Sequence, residues 1–203
     1  TDFHDAIDFP NADADGWVPF TDGISLFDWS MINDAESWIK QSGSSTSGPL
    51  KKSVIFGGSI ITHDHTTLYT FSASGTLTSR HTISSVQEPI LSLAVHKNII
   101  YVGLTNGKIL KSSDAKIYTD TGITTITAPV RALSSYRGKL WIGTGRDTDN
   151  LSKIYTWDTL SIALVRTITQ PQINSFAVAH GKLFVAAGSD DNTYAASVYY
   201  FDG

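Results

Sequence analysis

The sequence predicts an all-β fold built from copies of one short sheet, and three observations carry that reading. Residues 89–103, 129–143 and 172–186 superpose without a gap, with starts 40 and 43 residues apart. Their columns keep one chemistry. Ile90, Val130 and Ile173 share a column; Ser92, Ala132 and Ser175 are small; Leu93, Leu133 and Phe176 are large and apolar; Tyr101, Trp141 and Phe184 are aromatic. Each copy also breaks at the same place with two residues suited to a tight hairpin: Lys97-Asn98, Arg137-Gly138 and His180-Gly181. Asn and Gly tolerate the positive φ such a turn needs.

An internal repeat of about 40–45 residues made of short strands is the signature of a β-propeller, each repeat forming one four-stranded blade. In every copy an alternating first strand leads through the turn into a more continuously apolar second strand, at 99–104, 139–144 and 182–187. Such runs suit inner strands covered on both faces. Gly103, Gly143 and Ala186 share a column near the end of this strand, small residues for a crowded place close to the central channel. Third strands follow at 108–112, 153–158 and 197–202, and polar outer strands at 116–121 and 162–168. Polarity is expected at an exposed sheet edge.

A fainter copy precedes these, with 53–57 read as a second strand, 68–71 as a third, 76–83 as a fourth and 37–40 as the first. Residues 41–49, rich in Ser and Gly, read as a flexible loop. The last copy lacks a fourth strand, while residues 24–29 (Ile24 to Trp29) lack a blade. The expected architecture is therefore a small propeller of about four four-stranded blades, its ring closed by the N-terminal strand, since closure hides edges. The expected division is an acidic arm at 1–23 and the propeller at 24–203. The competing reading makes these blades part of a larger ring continued by other residues or another chain.

Hydrophobic residues are 41% of the 203, enough for a packed core and too many for wholesale disorder. No apolar run reaches the roughly 20 residues of a membrane span. Net charge is -4, with Lys and Arg scattered apart from Lys51-Lys52, so there is no basic stripe to neutralise phosphates and no nucleic-acid partner is expected. The absence of cysteine excludes disulfides, thiolate metal sites and cysteine nucleophiles. Ser and Thr number 47, a composition that suits exposed β-structure and an extracellular or surface-exposed setting.

The third copy resembles a WD40-type blade. Pro129-Val130-Arg131-Ala132-Leu133, Arg137 to Gly143, and Lys153 to Asp158 follow that family's strand order, and Trp157-Asp158 is its terminal dipeptide. Tyr200-Phe201-Asp202 echoes it, and bacterial YVTN-like propellers are similar to the same degree. No copy carries the Gly-His pair of that family and only one has Trp-Asp, so the family's hydrogen-bond tetrad does not carry over. The resemblance implies a rigid disc with face loops and a central channel, used most often for binding.

The sharpest local motif is Asn11-Ala12-Asp13-Ala14-Asp15-Gly16-Trp17-Val18-Pro19-Phe20-Thr21-Asp22. Asn11, Asp13, Asp15 and Asp22 stand at loop positions 1, 3, 5 and 12, Gly16 at 6, and the Trp17 carbonyl at 7, the spacing of a calcium-wrapping loop. Calcium is the cofactor this suggests; the alternative is an acidic arm with an Asx-turn. His63-Asp64-His65, with His81, could hold zinc, but exposed loop-tip residues are the simpler reading. Asp147-Thr148-Asp149-Asn150 and Asp190-Asp191-Asn192 occupy equivalent loops and read as turn chemistry. Trp141 and Trp157 are expected between blades. With only Glu36 and Glu88 as glutamates, and no nucleophile or phosphate-loop motif, no catalytic residues are assigned.

The function expected is a non-catalytic binding or structural module of a cell-surface, virion or secreted assembly, recognising protein or glycan through its face loops. The alternatives are a glycan-acting hydrolase or lyase, and an intracellular WD40-like scaffold.

Overall fold

The computed structural model describes residues 50–72, 76–82, 89–189 and 195–202. These form fifteen strands in four antiparallel sheets, with no helix among them. Blade I comprises β1 (Ser53–Phe56), β2 (Ser59–His63), β3 (Thr67–Phe71) and β4 (Leu77–Thr82). Blade II comprises β5 (Ile90–His96), β6 (Ile99–Leu104), β7 (Ile109–Ser112) and the two-residue β8 (Thr119–Asp120). Blade III holds β9 (Val130–Tyr136), β10 (Lys139–Thr144), β11 (Ser152–Trp157) and β12 (Ile162–Ile168). Blade IV holds β13 (Gln172–Ala179), β14 (Lys182–Gly188) and β15 (Ser197–Phe201). Each sheet is a plain meander in chain order.

The repeat columns become equivalent positions, as expected. The first turn residues Lys97, Arg137 and His180 have φ of 48°, 48° and 49°, so the three hairpins share one conformation. The third strands of blades II and III end in the same local chemistry. Asp114 Oδ1 accepts from the amides of Lys116 and Ile117, and Asp158 Oδ1 from those of Leu160 and Ser161. The Asp of Trp157-Asp158 is thus a turn-former. The short β8, against the expected 116–121, follows from this turn, which holds Lys116 and Ile117 outside the ladder.

Blades are joined face to face by side chains. One cluster packs Ile61 and Leu68 of blade I against Ile90, Leu93, Ile100 and Val102 of blade II. A second sets Ala94 and Tyr101 of blade II against Val130, Leu133, Leu140 and Trp157 of blade III. A third sets Trp141 and Ile154 of blade III against Ile173, Leu183 and Val185 of blade IV. Gly103 and Gly143 are small for this reason rather than because of the channel. A Cβ on Gly103 would lie 2.5 Å from Val130 Cγ1, and one on Gly143 2.5 Å from Ile173 Cγ2, both atoms of the next blade.

Blade IV differs on its far side. Tyr101 meets Trp157 of the next blade edge-on at 5.6 Å and Trp141 meets Phe201 of the next at 4.9 Å, but Phe184, in their column, stacks on Tyr200 of its own blade. Phe184 is half-buried, and Tyr200 and Val198 on the same face are exposed, as is Ile55 on the face of blade I turned away from blade II. The strand expected to complete blade IV, Ile24 to Trp29, lies outside the described residues, as do the 1–23 and 24–203 division and the first-strand candidate at 37–40.

One strand assignment is corrected. Residues 53–57 were expected as the second strand of blade I behind a first at 37–40, but Ser53–Phe56 is its first and Ser59–His63 its second. Gly57-Gly58, at φ of 55° and 75°, is the hairpin between them, in phase with the other three turns.

Candidate functional site at the ring axis

The first strands of blades II, III and IV carry a shared irregularity that the first strand of blade I lacks. The ladder of β5 slips between Ile90 and Ser92, that of β9 opposite Gly143 and Thr144, and that of β13 between Ile173 and Ser175. Leu91, Arg131 and Asn174 are therefore single-residue β-bulges at one level of the ring, outside the regular pairing of their strands.

Counting back from the turns places Lys51, Lys52 and Ser53 level with these bulges and the two columns that follow. There blade I inverts the pattern. Where the others carry a small residue (Ser92, Ala132, Ser175), blade I has Lys52; where they carry a large apolar one (Leu93, Leu133, Phe176), it has Ser53. The missing bulk leaves a cavity of about 230 Å³ lined by residues of all four blades, with Leu93, Leu133 and Phe176 as apolar walls. Lys52 crosses it. Its Nζ donates to the bulge carbonyls of Arg131 at 3.0 Å and Asn174 at 3.3 Å, tying blade I to blades III and IV. Lys52 is exposed as a whole residue, yet crowding around the ammonium, and after it the Arg131 charge, hold its pKa below the ordinary lysine value. Among the described residues neither Ser53 nor Ser175 bonds a histidine or a carboxylate, so the site offers an anchored cation and apolar walls.

The other candidates separate. Asn11, Asp13, Asp15, Trp17 and Asp22 lie outside the described residues. His63 and Asp64, expected to be exposed, are 0% and 1% accessible. Asp64 Oδ1 accepts from the amides of His65, Thr66 and Thr67, and its Oδ2 from the Tyr69 hydroxyl at 2.7 Å, so it builds the turn into β3. His65 is exposed and His81 stacks on Tyr118 at 5.1 Å; no group of three metal-ligating side chains forms among the described residues. Asp147 accepts from the amides of Asp149 and Leu151 and pairs with Lys153, whose hydrogen bond leads the causes lowering its pKa. That is turn chemistry, as expected. Asp190 to Asn192 lie outside the described residues. Trp141 and Trp157 are buried between blades, as expected.

No protein-family model matches the chain, and no curated protein does either. Solved structures do. A computationally designed protein, Ika4, superposes with a TM-score of 0.54 at 15% identity, over 78% of this chain and 95% of the designed one. The Pan2 WD40 domain of Neurospora crassa gives 0.58 at 14% identity, over 76% of this chain and 48% of that one. The chain is a β-propeller. The virginiamycin B lyase of Staphylococcus aureus is similar too, with a TM-score of 0.56 at 12% identity over 74% of this propeller and 55% of the lyase. The propeller thus spans about half the length of the two natural chains. Likeness at this identity shows the fold, and functions differ widely on one fold. No helix among the described residues is long and apolar enough to cross a membrane.

The axial site was missed in the sequence, although a signal was present. Pro49 stands 40 residues before Pro89 and 80 before Pro129. Aligning 49–63 with the other copies puts Lys52 into the small column and Ser53 into the apolar one.

Proposed function

We propose that this propeller is a non-catalytic binding module that recognises a protein partner at the axial face carrying Lys52. The observation behind this reading is the cavity itself: apolar walls from three blades around one ammonium held by main-chain carbonyls. Such a site favours an apolar group and an anion together. The amine is engaged as a donor, and the two lining serines lack a base among the described residues. The composition suits a surface or secreted assembly, and the half-length match to natural propellers suits a part within a larger arrangement.

The test is a glycan array run beside a turnover assay, together with chemical cross-linking of the propeller in its source assembly. Cross-links from Lys51 or Lys52 to a partner protein are expected. Released sugar would overturn the reading in favour of a glycan hydrolase or lyase.

A calcium loop at Asn11, Asp13, Asp15, Trp17 and Asp22 belongs to the same proposal. An ion that binds only the folded state at about a hundred times its dissociation constant adds about 2.7 kcal/mol. Calcium is therefore expected to raise the melting temperature and chelator to lower it; a melting curve indifferent to both removes the site.

A further inference from the structure

The inversion at blade I decides what the cavity can hold. A lysine ammonium has three N–H donors, and two of them are engaged by Arg131 O and Asn174 O. Those carbonyls fix the nitrogen in place and leave a donor for a ligand. They are available because the bulges take them out of the regular ladders. The side-chain charge that acts on Lys52 is that of Arg131, another cation.

The walls argue against a bare inorganic anion. Leu93 and Leu133 are buried, and Phe176 is half-buried beside them. A phosphate would meet these surfaces with polar oxygens and lose hydration without replacement. A neutral sugar would need several polar partners, where the cavity offers the ammonium and two hydroxyls, Ser53 and Ser175. Size narrows the choice further, because about 230 Å³ lies below the roughly 300–1,000 Å³ of sites for drug-sized ligands and suits a small group.

We propose that the cavity binds a carboxylate carried on a short apolar body. This rests on the protein-binding reading above: the partner presents an acidic or C-terminal residue beside an apolar side chain. The carboxylate accepts the remaining Lys52 N–H as a charge-assisted bond, and the apolar body lies against Leu93, Leu133 and Phe176.

The experiment uses the full chain with labelled leucine methyl groups. Hexanoate is titrated against hexanamide, its neutral match, on the wild type, on Lys52→Met and on Leu133→Phe. Lys52→Met keeps the stem and removes the charge; Leu133→Phe keeps the charge and fills the cavity. Hexanoate is expected to shift the Leu93 and Leu133 resonances saturably at millimolar concentration, with hexanamide about tenfold weaker, one charge-assisted hydrogen bond's worth. Lys52→Met should erase the preference and Leu133→Phe should abolish binding. Equal binding of the two probes, an undiminished preference in Lys52→Met, or no shifts at all would overturn the site. Should Lys52→Met fail to fold, Leu133→Phe decides, since binding that survives a filled cavity lies elsewhere. N-acetyl-leucine, with a free main-chain carboxylate, and N-acetyl-glutamyl-leucinamide, with a side-chain one, separate the two sources. A cross-linked partner that binds Lys52→Met as tightly as wild type would sink this site and leave the protein-binding reading standing. Hexanoate binding with no protein partner at this face would do the reverse.

Discussion

Trp141→Ala is expected to destabilise the propeller by about 3–5 kcal/mol, the usual cost of truncating a buried tryptophan. Trp141 is 5% exposed, packs on Phe201 of the next blade at 4.9 Å, and donates its indole N–H to Tyr136 O at 3.2 Å. Alanine would leave a void in the contact between blades III and IV and strip a carbonyl of its partner. Phe184→Ala supplies the control. It occupies the same column, but its ring partner is Tyr200 of its own blade, and it is half-buried. Urea unfolding of both variants should show the Phe184 change costing less than half the Trp141 one. Similar losses would mean that the column does not report contact between blades.

Lowering the pH from 6.5 to 4 is expected to remove about 3 kcal/mol through His63 alone. The imidazole is fully buried, and neither ring nitrogen has a hydrogen-bond partner. Burial first, and then the Lys51 charge, push its pKa down from 6.5 to about 4. The folded state therefore binds the proton less readily than the unfolded chain does. The stabilisation is complete above pH 6.5, fades as the unfolded histidine protonates, and is gone once pH falls through 4. His96, also buried and shifted down by burial and then by Lys97, adds in the same direction. His63→Leu keeps apolar bulk and removes the titration. Its stability should vary much less over this window. A wild-type profile that is flat between pH 6.5 and 4 would contradict this placement of His63.

His63 also shows why part of the fold was hard to read. It stands in the column of Gly103, Gly143 and Ala186, where the other blades close on their neighbours. Ile61 replaces the aromatic of the Tyr101, Trp141 and Phe184 column, and Lys52 and Ser53 invert the two channel columns. Blade I thus keeps the backbone plan with different side chains. Periodicity read blades II to IV strand by strand, because their columns carry the packing that makes a blade. In blade I only the turn glycines and the phase of Pro49 remained as signals, and the second-strand assignment at 53–57 slipped by one strand. The axial cavity was illegible for the same reason: it exists because one copy departs from the others. Burial of Asp64 was hidden too, since Oδ1 is held by three backbone amides, which sequence does not distinguish.

The most direct test of the radial arrangement is a set of spin-label distances from the first turn residues of blades II, III and IV. Lys97, Arg137 and His180 are exposed and share one backbone conformation, and the absence of native cysteine leaves a clean background. Double electron–electron resonance on the three pairwise cysteine variants should give nearly equal distances for 97–137 and 137–180. The 97–180 distance should fall well short of their sum, because the blades turn about an axis. A 97–180 distance equal to that sum would describe a straight stack of sheets and contradict the propeller.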